Sequence, residues 1–169
     1  QWFPVMTSGA YASPAQDRIY WGKIQTFAAA RVIKNLGVRL QSNFPSGKHL
    51  WLVCYDVDPE TGIPRTLLGH SGSILADSGA PKPLPGPGGL SIAIGRAVPF
   101  RLGVMCDGNA SNVGTIGIHA SGGEGGVTSS SSTSVGRLYS TFTYGTPPSS
   151  APAVAWEAGS SFCPLAQVT

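Results

Sequence analysis

Residues 49–68, HLWLVCYDVDPETGIPRTLL, limit this chain more than any other stretch. The first half is a dense apolar run carrying Trp, Val, Cys and Tyr, residue types that suit a pleated, buried surface. The middle, Asp58-Pro59-Glu60-Thr61-Gly62-Ile63-Pro64, cannot continue a ladder, because each proline lacks an amide donor. Thr61-Gly62 makes the turn, and Leu67-Leu68 returns as a second apolar pair. A strand that ends in a proline-pinned turn needs other strands to bury it.

The rest of the chain supplies them. Residues 18–27 (RIYWGKIQTF) alternate, with Ile19, Trp21 and Phe27 on one face and Tyr20 and Ile24 on the other. Residues 31–41 put Val32, Leu36, Val38 and Leu40 on one face, where Lys34 intrudes, while Ile33 breaks the polar face. The hairpin-sized connection that follows predicts antiparallel pairing with the strand at His49. A short strand is expected around residues 73–76, and residues 79–89 (GAPKPLPGPGG) read as a loop, neither helix nor sheet. Further strands are expected at 90–94 and 97–106, the latter with Leu102, Val104 and Cys106 on one face, before the turn Asp107-Gly108-Asn109. A glycine-diluted strand at 113–119 precedes the low-complexity loop 121–134. Residues 135–144 form a strand with Leu138, Phe142 and Tyr144 on one face, 146–152 a proline-bearing turn, and 153–158 a last strand.

Eight or nine short strands without a convincing helix predict an all-β chain, an antiparallel β-sandwich of jelly-roll type. Gly at 23 and Pro at 14 in 169 residues agree with many turns. Residues 18–158 are expected to form the sandwich, after an N-terminal arm or edge strand at 1–17 and before a C-terminal tail at 159–169. A first residue of Gln suggests a fragment or a processed form, with no visible signal peptide.

Only 11% of residues are charged and the net charge of +3 is scattered, which speaks against a nucleic-acid partner. No apolar stretch reaches the roughly 20 residues of a membrane helix, so no membrane insertion is expected. Cys54, Cys106 and Cys163 lack metal spacing; buried free thiols are the expectation, with a Cys54–Cys106 disulfide as the alternative. His49, His70 and His119 stand apart from one another and from other ligand types, so neither a metal nor a cofactor is expected. Asp56, Asp58 and Glu60 cluster at the turn but lack the pattern of a calcium loop and read as a solvated strand end. There is no GxSxG elbow and no phosphate loop, and the chain is expected to be non-enzymatic. Aromatic rings beside amide and carboxylate groups suit sugar recognition. The candidate ligand-binding residues are Trp21, Tyr139, Asp107, Asn109 and Asn112.

The residues VCYDVDPETGIPRTLL resemble a β-sandwich unit recurrent in tail and fibre proteins of tailed bacteriophages. The likeness lies in Val53 to Tyr55, Gly62 to Pro64, Leu67-Leu68 and, more loosely, Ser78-Gly79. RVIKNLGVRL, FRLGVMCDGN and APAVAWEA resemble strands before and after that unit, whereas the proline-rich and serine-rich loops depart from it. The resemblance implies a virion structural domain at the particle surface, assembled in the host cytoplasm. Such a domain is typically a homotrimer that contacts other virion proteins and host surface polysaccharide. A tail-fibre or tail-tip module for host attachment is the first expectation. A capsid-decorating or head-fibre protein, or a carbohydrate-binding module of a polysaccharide-active enzyme, is the alternative.

Overall fold

The computed structural model describes residues 2–3, 11–40, 48–75, 82–85, 89–108, 116–117, 136–159 and 161–169. They hold thirteen strands and no helix. In chain order these are β1 (Trp2–Phe3), β2 (Tyr11–Ala12), β3 (Arg18–Trp21), β4 (Arg31–Leu40), β5 (His49–Val57), β6 (Pro64–Leu75) and β7 (Lys82–Pro85). There follow β8 (Ile92–Ile94), β9 (Phe100–Cys106), β10 (Ile116–Gly117), β11 (Gly136–Thr141), β12 (Val154–Ala158) and β13 (Leu165–Val168). They form two antiparallel sheets, the β-sandwich expected from the sequence. The larger in residues has six strands in the order β12-β11-β3-β9-β5-β6; the other has seven mostly short strands centred on β4.

In the second sheet, β13 and β10 lie along one side of β4, with β1 and β2 beyond them. β7 and β8 lie along the other side, because Gly37 faces both Leu165 and Pro85, and Ile33 both Val168 and Ile92. Between the sheets sit Leu36, Val38 and Leu40 of β4, Leu50, Leu52 and Cys54 of β5, and Leu102, Val104 and Cys106 of β9, with Tyr20, Phe27, Phe100 and Phe162. Each fully buried large side chain of this kind contributes roughly 1.5–3 kcal/mol. That apolar layer holds the sheets together.

Several expectations are corrected here. β4 and β5 do not pair; they lie in different sheets and meet across the core. Both strands bury one apolar face, and alternation alone does not say whether two such faces share a sheet or oppose one another. Ile33 belongs to the core beside Leu36, Val38 and Leu40, because β4 bulges: Gln167 faces Asn35 but Val168 faces Ile33. The extra residue, Lys34, points to solvent and the inward parity switches. Phe27 joins Tyr20 in the core rather than Trp21, since the strand lapses after Trp21 and its alternation is reset.

Lys82–Pro85, expected as loop, pairs with β4. Pro83 and Pro85 are two residues apart, so both missing amides fall on one side, and among the described residues no strand pairs with β7 on its outer side. The expected tail is a strand as well: β13 pairs with β4, and Phe162, Cys163 and Ala166 are buried. β6 is one long strand from Pro64, which occupies the first strand position that proline tolerates.

The larger sheet is buried on both faces. Its outer face carries Ile19, Trp21, Val53, Tyr55, Met105 and Leu138, covered by Phe142, Tyr144, Ala151 and Val154. Residues 142–153, expected in part as a simple turn, form a strap across this face. Leaving β11, the strap reaches β6 on the opposite edge, where Leu67 N donates to Ser149 O and Ala151 N to Arg65 O. It then returns to β12. Tyr55 Oη donates to the Pro148 carbonyl on the way.

Candidate binding site

Of the five residues singled out in the sequence, the three that are described, Trp21, Tyr139 and Asp107, do not converge. Trp21 has 0% of its surface exposed. Its Nε1 donates to Ser140 Oγ at 2.9 Å, and its ring meets Tyr55 edge-on at 5.1 Å between centroids. Gly103 makes room for it; a methyl group there would lie 3.0 Å from the indole and 2.8 Å from Val53. The strap covers what alternation alone would leave as an exposed face, so Trp21 is a core residue with no ring face for a ligand. Tyr139 is half-buried, and the Arg18 guanidinium lies 4.2 Å above its ring. Arg18 is held in turn by Glu157, which also binds Arg137 at 2.6 Å. Asp107 is spent on strand closure: Oδ1 accepts His49 N at 2.8 Å and Oδ2 lies 3.2 Å from His49 Nδ1. Asn109 and Asn112 lie outside the described residues.

The acidic cluster at the hairpin is structural. Asp56 accepts Thr66 N at 2.6 Å and Arg65 Nη2 at 3.2 Å. Asp58 Oδ1 accepts the amides of Glu60 and Thr61 at 2.9 and 3.0 Å, closing the turn around Gly62, whose φ is 70°. The three thiols are free. Cys54 stands opposite Leu102 and Cys106 opposite Leu50, four strand positions apart or roughly 13 Å. Burial pushes all three thiols up to about 12, which leaves almost no thiolate near neutral pH. Among the described residues no three His, Cys, Asp or Glu side chains gather where they could hold a metal ion.

A cavity of about 400 Å³ opens at one end of the β4 sheet, lined by Phe3, Thr26, Phe27, Ala28, Ala29, Arg31 and Val168. β1 brings Phe3 beside β13, where it faces Ala166. Phe27 lies beneath, 6% exposed, with its ring centroid 5.1 Å from that of Phe3 and 5.0 Å from that of Phe100. Val168 closes a side, where the last residue exchanges two backbone hydrogen bonds with Val32. The small side chains of Ala28 and Ala29 leave the mouth open, and Thr26 and the peptide groups of this loop bring polar atoms to an otherwise apolar wall. Arg31 begins β4 at the rim.

Arg96 stands close by in the backbone. Its position pairs with Phe27, Ala97 N donates to Phe27 O at 2.9 Å, and Arg31 faces Ile94. A cavity of this size lies at the small end of the ligand-pocket range of roughly 300–1,000 Å³. Two aromatic rings with a guanidinium at the rim can bind and orient a ligand; among the described residues the lining holds no carboxylate, imidazole or thiol. Sequence reasoning missed this site because its residues come from three separate places in the chain. The available signal was the pairing of Phe27 with a run of three alanines ending at Arg31. No family model, curated protein or solved structure matches this chain.

Proposed function

We propose that this chain is a non-enzymatic domain of a virion surface, a tail-fibre or tail-tip module that attaches the particle to sugars on a host cell. It works as a homotrimer among other virion proteins. The observation that carries the reading is the open cavity with Phe3 and Phe27 as floor and Arg31 at its rim. Such a site holds a ligand by ring contact and hydrogen bonding, as an attachment domain requires. The resemblance of the β5–turn–β6 residues to phage fibre sandwiches supports the virion setting.

The test is cosedimentation of the purified chain with a panel of bacterial envelopes and with their extracted polysaccharides. Saturable binding to one envelope, weakened by Phe3→Ala, is the expected result. Cosedimentation with phage capsids in place of envelopes would transfer the chain to capsid decoration. Release of reducing ends from a polysaccharide would transfer it to carbohydrate chemistry.

A further inference from the structure

We infer that the cavity is selective for an acidic sugar, a carboxylate-bearing hexose such as a hexuronate residue within a polysaccharide. The inference rests on the attachment reading above and names the ligand class for the same site. The pyranose ring lies against Phe3, backed by Phe27, and the carboxylate meets Arg31, with Arg96 adding positive charge beside it.

The argument is one of charge left over. Arg18 and Arg137 share Glu157, Arg65 binds Asp56, and buried Arg101 donates to the carbonyls of Gly62 and Gly22. The side chains of Arg31 and Arg96 have no hydrogen-bond, ion-pair or ring partner among the described residues. Arg39 shares that state but sits near the other end of β4, opposite Pro83. Among the described residues no carboxylate forms an ion pair with Arg31 or Arg96. Asp17 receives Tyr144 N, Asp56 and Asp107 are engaged as above, Asp58 and Glu60 lie in the hairpin turn, and Glu157 sits between its two arginines.

A guanidinium is charged at every relevant pH and presents a planar fork that matches a carboxylate in two parallel hydrogen bonds. Arg31 beside an apolar floor, with Arg96 close by in the backbone, attracts an anion that also has an apolar face. A uronate has both: its ring C–H groups suit the negative face of an aromatic ring, and its carboxylate projects from the ring edge. The Thr26 hydroxyl and the neighbouring peptide groups offer partners for sugar hydroxyls. A bare aliphatic anion would leave unpaired those polar wall atoms that it desolvates, which disfavours it against a sugar.

The test uses uronate-containing bacterial capsular polysaccharides, each assayed intact and after carboxyl reduction, beside neutral polysaccharides. Binding is measured for the native chain and for Arg31→Gln and Arg96→Gln, with melting temperatures as a check on folding. The expected result is binding to an intact uronic polymer that falls about tenfold or more on carboxyl reduction and by a similar factor in Arg31→Gln at unchanged melting temperature. Arg96→Gln should show a smaller loss. Equal binding to intact and reduced polymer, or to native and both arginine variants, overturns the inference and leaves the attachment reading standing. Binding to neutral polymers alone does the same. Failure to bind any polysaccharide removes both.

Discussion

Arg101 is 3% exposed, and two of its hydrogen bonds tie distant parts of the fold together. Nε donates to Gly62 O at 2.7 Å in the β5–β6 turn, and Nη1 to Gly22 O at 2.6 Å where β3 ends. Removing the guanidinium strands two enclosed carbonyls, each costing roughly 1–3 kcal/mol, so Arg101→Met should lose about 2–6 kcal/mol of stability in urea unfolding. A loss below 1 kcal/mol would mean that water satisfies both carbonyls. The same turn gives a pH dependence. Amides of Thr61 and Glu60 hydrogen-bond to the Asp58 carboxylate and hold it below its ordinary value of 3.8. Because the folded value is the lower one, the stabilisation is fully present above pH 3.8 and disappears as pH falls through the folded value. Asp58→Asn keeps an acceptor but cannot titrate. Its melting temperature should therefore fall less steeply than that of the native chain on acidification from pH 3.8 downward. Parallel melting curves for the two proteins would deny Asp58 this role.

Among the elements, the strap at residues 142–153 does most to separate the sequence reading from the folded chain. Strand content, the β5–turn–β6 unit and the inward set Leu102, Val104 and Cys106 were legible, because burial on one face imposes alternation that survives in the residues themselves. The strap was not. Its prolines and serines carry the same local signal whether the segment turns back at once or crosses a whole sheet, and the difference lies in distant partners such as Arg65, Leu67 and Tyr55. Trp21 was misread for that reason alone. The cavity was illegible on similar grounds, since Phe3, Phe27, Arg31 and Val168 are neighbours only after β1 and β13 dock beside β4. Replacing residues 145–151 by a short Gly-Ser link should uncover the outer face of the larger sheet. The expected outcome is a red shift of tryptophan emission, stronger acrylamide quenching and a lower urea midpoint, with β-sheet circular dichroism retained. Emission and quenching unchanged from the native chain would mean that the strap does not shield Trp21.

At the scale of the whole molecule, the two edges of the larger sheet are treated differently. The β6 edge is partly closed by the chain itself, where Ser150 bridges to Thr66. At the opposite edge no described strand pairs with the outer side of β12, Val154–Ala158. Natural sheets protect such an edge with lysine, proline or an outward charge. β12 has no lysine or proline; its one charge, Glu157, is drawn towards Arg18 and Arg137, and Trp156 remains 41% exposed. An open edge beside an exposed indole suits contact with another copy. Pairing of β12 with itself about a two-fold axis gives a dimer, whereas contact with a different surface of the next copy closes a ring. The proposed homotrimer is the second case. Light scattering at micromolar concentration should give three times the 17.4 kDa chain mass, and Trp156→Lys should shift the species towards monomer without changing the fold. A two-chain mass abolished by the same substitution would assign β12 to a two-fold contact. A stable monomer, equally soluble with Trp156 or Lys at this position, would show that the bare edge is tolerated without a partner.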